Sequence, residues 1–128
     1  MKKCGVFNSE ISSVISNMGH GDSITIVDLG YPIPEEKRRI DLVVDINVPD
    51  FFVVLENVLK ELHVEKIIIA KESSEQFVEK VKNLTNLNMV EFVSHEEFKK
   101  IAKSSRAYIR TGTALPYHNI ILISGVIF

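Results

Sequence analysis

A histidine set between two glycines, Gly19-His20-Gly21, precedes the apolar run Ile24-Thr25-Ile26-Val27, and Asp28 follows it. Imidazole is the side chain whose ordinary pKa lies nearest neutrality, so it both gives and takes a proton. A carboxylate at a strand's end stands where open α/β sheets place their ligands. The pair predicts the core of a small acid/base site. Each residue also has a plain structural use. A His just past a helix end can cap the last carbonyls, favourably for the dipole, and an Asp after a strand can start a turn. The residues alone leave both readings open.

Other chemistries lack their signatures. No Gly-rich phosphate loop follows a strand, and no His/Cys cluster has zinc spacing. Cys4 is the only cysteine, so no intrachain disulfide can form; a single thiol suits a reducing cytoplasm, and Cys4 reads as a small buried or half-buried residue. A net charge of −2 gives no general attraction to nucleic acid or to an anionic membrane. Lys2 and Lys3 resemble a signal n-region, but Asn8, Ser9 and Glu10 interrupt any apolar stretch after them. The apolar runs fall far short of the roughly 20 residues of a membrane helix. A soluble cytoplasmic protein is expected, with 128 residues forming one domain, 1–128.

The elements that must position these residues follow from periodicity. Ile11, Val14, Ile15 and Met18 share a helical face, predicting a helix over 9–18 with Ser9 as N-cap and Gly19 as the stop. Residues 24–28 read as a strand. Gly30-Tyr31-Pro32-Ile33-Pro34 reads as a rigid loop, because its prolines lack donors. Glu35 to Arg39 reads as a solvated charged face. A second strand is expected over 40–46. Pro49 suits the first turn of a helix whose core face is Phe51, Phe52, Leu55, Val58, Leu59 and Leu62.

Strands follow at 65–71, 89–93 and 106–111. Between them lie two helices with capping-box patterns, Ser73/Gln76 and Ser94/Glu97, the second placing His95 in a first helical turn. A closing strand begins at Ile120, and an apolar ending, Gly125-Val126-Ile127-Phe128, predicts a buried C-terminus, with another subunit as one way to cover it. Alternating strands and helices predict an α/β fold: a single layered domain with a mixed, largely parallel sheet flanked by helices.

Several segments, in this order, carry a resemblance: Asn8-Ser9-Glu10-Ile11, Met18-Gly19-His20, Asp28-Leu29-Gly30-Tyr31-Pro32-Ile33-Pro34, Arg39-Ile40-Asp41-Leu42, Ser94-His95-Glu96-Glu97-Phe98-Lys99, Ile109-Arg110-Thr111-Gly112 and Pro116-Tyr117-His118-Asn119-Ile120-Ile121-Leu122. Through them the chain resembles the D-ribose pyranase family of sugar mutarotases over essentially its whole length. The resemblance implies a cytoplasmic enzyme interconverting the β-pyranose and β-furanose forms of D-ribose. It also implies a ring-shaped homo-oligomer, a decamer of two pentamers, with sites near subunit boundaries.

By the same resemblance the family's proton donor falls on His20, and its sugar-binding residues fall on Asp28, His95, Tyr117 and Asn119, with Lys99 near the sugar. Asp28 would hold sugar hydroxyls or fix the imidazole's tautomer, the first being favoured. Such a reaction needs neither metal nor nucleotide cofactor. The chain departs from the family pattern at three places. His118 stands where Ala is usual, Thr113 where Glu is common, and the stretch after Ala70 is shorter than in many relatives. Alternatives within reach of the same residues are a mutarotase for another sugar such as L-fucose, and a non-catalytic sugar-binding or transport-accessory protein.

Overall fold

The computed structural model describes residues 1–85 and 89–128. Along the chain the elements are α1 (Ser9–Asn17), β1 (Ser23–Val27), β2 (Arg39–Asp41), α2 (Phe51–Leu59), β3 (Val64–Ala70), α3 (Glu75–Thr85), β4 (Val90–Val93), α4 (His95–Ala102), β5 (Tyr108–Arg110) and β6 (Ile120–Ser124). The strands form one sheet in the order β2-β5-β1-β6-β3-β4. β6 runs antiparallel to β1 and β3, and the other pairings are parallel. The expected mixed, largely parallel α/β architecture is therefore the one observed. No helix among the described residues is long and apolar enough to cross a membrane.

Both faces of the sheet are covered, which is why the central strands read as apolar runs rather than alternating ones. Ile24 and Ile26 of β1, Ile67 and Ile69 of β3, and Ile120 and Leu122 of β6 join α1, α2 and α3 in one core. Val27, Ile68 and Ile121 face the other way, onto Phe98 and Ala102 of α4 and onto Tyr31 and Ile33 of the proline loop. Thr25, the single polar break in β1, is buried, with its hydroxyl 2.6 Å from that of Ser105.

Several boundaries differ from expectation, each for a local reason. Asn8, not Ser9, caps α1, its Oδ1 accepting from the Ile11 N–H at 3.0 Å. Gly19 is not the stop: Met18 is already extended, and Gly21 takes the left-handed conformation at φ +82°. β2 covers 39–41 rather than 40–46, because the chain folds back through a bridge between Asp45 and Val48 and leaves Val44 and Ile46 exposed. Pro49 lies outside α2, in a cis peptide bond with Val48, and Asp50 caps that helix through the Phe52 N–H.

Later elements shift as well. α3 starts at Glu75; the Ser74 hydroxyl accepts from the Phe77 N–H, while Ser73 donates to the Tyr117 carbonyl instead of capping. Ser94 does cap α4, accepting from Glu97 N–H. β5 is shortened to 108–110. β6 ends at Ser124, and Ile127 and Phe128 are exposed in the single chain, so the chain's own fold does not bury the apolar ending. Cys4 is exposed as well, because it precedes the first packed residue, Val6.

Candidate active site

The carboxyl ends of β1 and β5 and the start of β6 border a cleft of about 500 Å³. That lies within the roughly 300–1,000 Å³ usual for small-molecule sites. Asp28, His95, Tyr117 and Asn119 all line it, together with Tyr31 and residues 113–116.

Asp28 sits one residue beyond β1. Its backbone N–H donates to Asn119 Oδ1 at 2.9 Å, and its own Oδ1 accepts from the Gly30 N–H at 3.0 Å. The residue is only 8% exposed. Burial raises its carboxyl above the ordinary range; the Gly30 N–H, the Asn119 amide and the charges of His118 and His95 oppose that rise without cancelling it. Asn119 is itself buried and immediately precedes β6, which fixes where its amide stands.

His95 is the first residue of α4. Its backbone N–H donates to the Glu72 carboxylate at 3.0 Å. Its ring stacks parallel to Phe98 and meets Tyr31 and Tyr117 edge-on, at centroid distances of 6.3, 6.1 and 5.1 Å. The Nδ1 atom is buried without a hydrogen-bond partner. Tyr117 adopts a left-handed backbone, φ +61°, held by the Ser73 hydroxyl on its carbonyl at 3.1 Å. The Tyr31 hydroxyl is pushed well above the ordinary tyrosine value, by burial first and then by Tyr108 and Asp28.

The floor of the cleft is set by the segment after β5. Gly112 packs so tightly that a Cβ there would lie 2.5 Å from Val48 N and 2.6 Å from Asp45 O. The Thr113 hydroxyl accepts from the Phe51 N–H at 2.7 Å, tying the cleft wall to the start of α2. Arg110 binds Asp41 and the Leu29 carbonyl, and so pins the loop that carries Asp28.

Two of the six residues singled out in the sequence lie elsewhere. Lys99 pairs with Glu96 at 2.6 Å and lines a neighbouring cleft with Pro32, Pro34, Lys100 and Lys103; Tyr31 borders both clefts. His20 lies at the opposite end of β1, with Nε2 3.0 Å from both carboxylate oxygens of Glu65. β1 spans five residues, so at about 3.3 Å per residue its end residues stand roughly 13 Å apart, with His20 and Asp28 beyond either end. Within one chain, then, His20 and Asp28 do not form the joint site that their proximity in sequence predicts. His118 points away from the cleft, its ring 4.5 Å from Phe77.

Tyr31, Glu72 and Glu65 were not singled out in the sequence. Tyr31 lay in a segment whose prolines marked it only as a rigid loop. The two glutamates carry no spacing signal, because each meets a histidine distant from it in sequence.

Comparison with known proteins places the whole chain in one family. Residues 1–127 match the model of the RbsD / FucU transport protein family. The chain is 55% identical, over the full length of both, to a D-ribose pyranase of Thermosipho africanus, and 52% identical over the full length of both to one of Clostridium tetani. The structure of Bacillus subtilis RbsD complexed with D-ribose superposes with a TM-score of 0.94 at 39% identity, covering all of both chains. The fucose mutarotase of Streptococcus pneumoniae shares the fold, with a TM-score of 0.78 at 21% identity over 94% of each chain. Sequence and architecture agree over the whole length, and the chain belongs to the RbsD / FucU family.

Proposed function

We propose that this protein is a D-ribose pyranase, interconverting the β-pyranose and β-furanose forms of the sugar in the cytoplasm. The observation that carries the reading is that one cleft collects Asp28, His95, Tyr117 and Asn119, in a chain about half identical to proteins named D-ribose pyranase. An exposed lone thiol, Cys4, suits a reducing compartment.

The reaction opens one hemiacetal and closes another. As the C1–O5 bond breaks, O5 gains a proton and O1 loses one, giving the open aldehyde. O4 then attacks C1, losing its proton as O1 regains one. No net proton is consumed, so one acid and one base suffice. In our reading His20 gives its proton to O5 and recovers one from O4. Asp28 holds O1, accepts its proton and returns it; burial, by raising that carboxyl, suits it to the task. Asn119 and His95 supply further polar contacts, and Tyr117 offers a hydroxyl and an apolar face. Lys99 approaches the sugar only if its pairing with Glu96 yields.

Because His20 is remote from the cleft of its own chain, the His20 serving each cleft comes from a second copy. A ring-shaped homo-oligomer, a decamer of two pentamers, is the assembly we propose. The exposed Phe7, Val53, Ile127 and Phe128 offer apolar surface for such contacts. Saturation-transfer NMR of D-ribose with catalytic protein tests the activity. Pyranose–furanose exchange that disappears in His20→Ala supports the proposal. Exchange on L-fucose but not ribose would change the substrate, and binding without exchange would leave a sugar-binding protein.

A further inference from the structure

We propose that Glu65 is a positioning residue for His20, fixing which ring nitrogen meets the sugar. The inference rests on the reading of His20 as the proton carrier. Both Glu65 oxygens lie 3.0 Å from His20 Nε2. A carboxylate only accepts, so Nε2 carries the proton and the lone pair resides on Nδ1. Nδ1 is then the atom that gives a proton to the ring oxygen O5 and regains one from the O4 hydroxyl. While it holds that proton, the imidazolium remains paired with the carboxylate.

Both side chains are exposed in the single chain, but the backbone that carries each is fixed. The turn around His20 is pinned on each side. The Gly19 N–H donates to Asp22 at 2.8 Å, the Gly21 N–H to the Ser124 carbonyl at 2.8 Å, and Arg106 grips both Asp22 oxygens. Glu65 stands on β3, beside Gly125. A Cβ at Gly125 would come within 2.9 Å of Glu65 Cβ and 3.0 Å of His63 Cδ2, so the glycine leaves the space that the glutamate occupies. The Gly125 N–H donates to the His63 carbonyl at 2.9 Å and keeps that strand end closed.

The test pairs kinetics with the tautomer. Glu65→Ala is expected to lower kcat for ribose exchange about tenfold with KM unchanged, as when a histidine loses its orienting partner. Glu65→Gln still offers an oxygen to Nε2–H and is expected to stay within about threefold of wild type. Long-range ¹H–¹⁵N correlation of neutral His20 should show Nε2 protonated in wild type and Glu65→Gln, and a tautomer mixture in Glu65→Ala. Wild-type kcat in Glu65→Ala, or a loss of rate with the His20 nitrogens unchanged, would overturn the role. If His20→Ala keeps exchange, the reading of His20 itself fails. If His20→Ala is inactive while Glu65→Ala runs at full rate, only the role of Glu65 fails.

Discussion

The Asp28 backbone N–H donates to Asn119 Oδ1 at 2.9 Å, joining the end of β1 to the start of β6, its antiparallel neighbour. Both residues are buried. One amide therefore holds the backbone of the cleft's carboxylate and also lines the cleft. Asn119→Ala leaves the Asp28 N–H unpaired, which costs about 1–3 kcal/mol. We expect that loss in urea unfolding, together with weaker ribose binding by titration calorimetry. Unchanged stability would remove the structural half of the role.

Asp28 gives a pH prediction. Its folded-state carboxyl is raised above the ordinary value, by burial first. A raised carboxyl favours the fold most when protonated, below the unfolded-state value, and that contribution is lost as pH rises through the folded-state value. Asp28→Asn should therefore be more stable than wild type at pH 7. The difference should shrink as pH falls through the window just above the ordinary carboxylate range. The same variant should lose exchange activity, a gain of stability at the expense of function. Thermal unfolding from pH 3 to 8 reads the first effect; a difference that grows on acidification would contradict the assignment.

Gly112 tests the floor of the cleft. The atoms a Cβ would meet belong to the backbone of Asp45 and Val48, so no side-chain rotation relieves the contact. Gly112→Ala should destabilise the fold by about 1–3 kcal/mol and displace Thr113 and the residues after it. Denaturant titration measures the first, and ribose affinity the second.

The His118 ring packs on Phe77 and, at 6.1 and 6.3 Å, on Phe51 and Phe52. His118→Ala should cost about 0.5–1.5 kcal/mol of aromatic packing and leave the ribose-to-fucose preference unchanged. An altered preference, measured by exchange NMR on both sugars, would place His118 in the site.

Much of this architecture was legible in the sequence. Helix faces such as Phe51, Phe52, Leu55 and Val58 announce burial by their spacing, and Ser94 announces a helix start. Val44 and Ile46 continue an apolar pattern, so the sequence predicts a longer β2 than the three residues that pair. Nothing local records that the chain folds back at Asp45. His118 was the more ambiguous residue. Its ring direction is set by the turn before β6, where Tyr117 takes a left-handed conformation that no local pattern announces. For His20 and Asp28 the order His20, strand, Asp28 implies opposite ends of the sheet. Shared chemistry drew them together where geometry holds them apart, and a resemblance located the residues without saying which chain supplies each.

The most direct test of a shared site uses mixed assemblies. His20→Ala and Asp28→Ala chains, each inactive alone, are co-expressed with different tags and purified through both. If His20 of one copy serves the cleft of another, random assembly leaves about a quarter of the sites with both wild-type groups. Ribose exchange by saturation-transfer NMR should then return to about that fraction of the wild-type rate. Mixed assemblies as inactive as either parent would contradict the account, because each site would then draw His20 and Asp28 from a single chain.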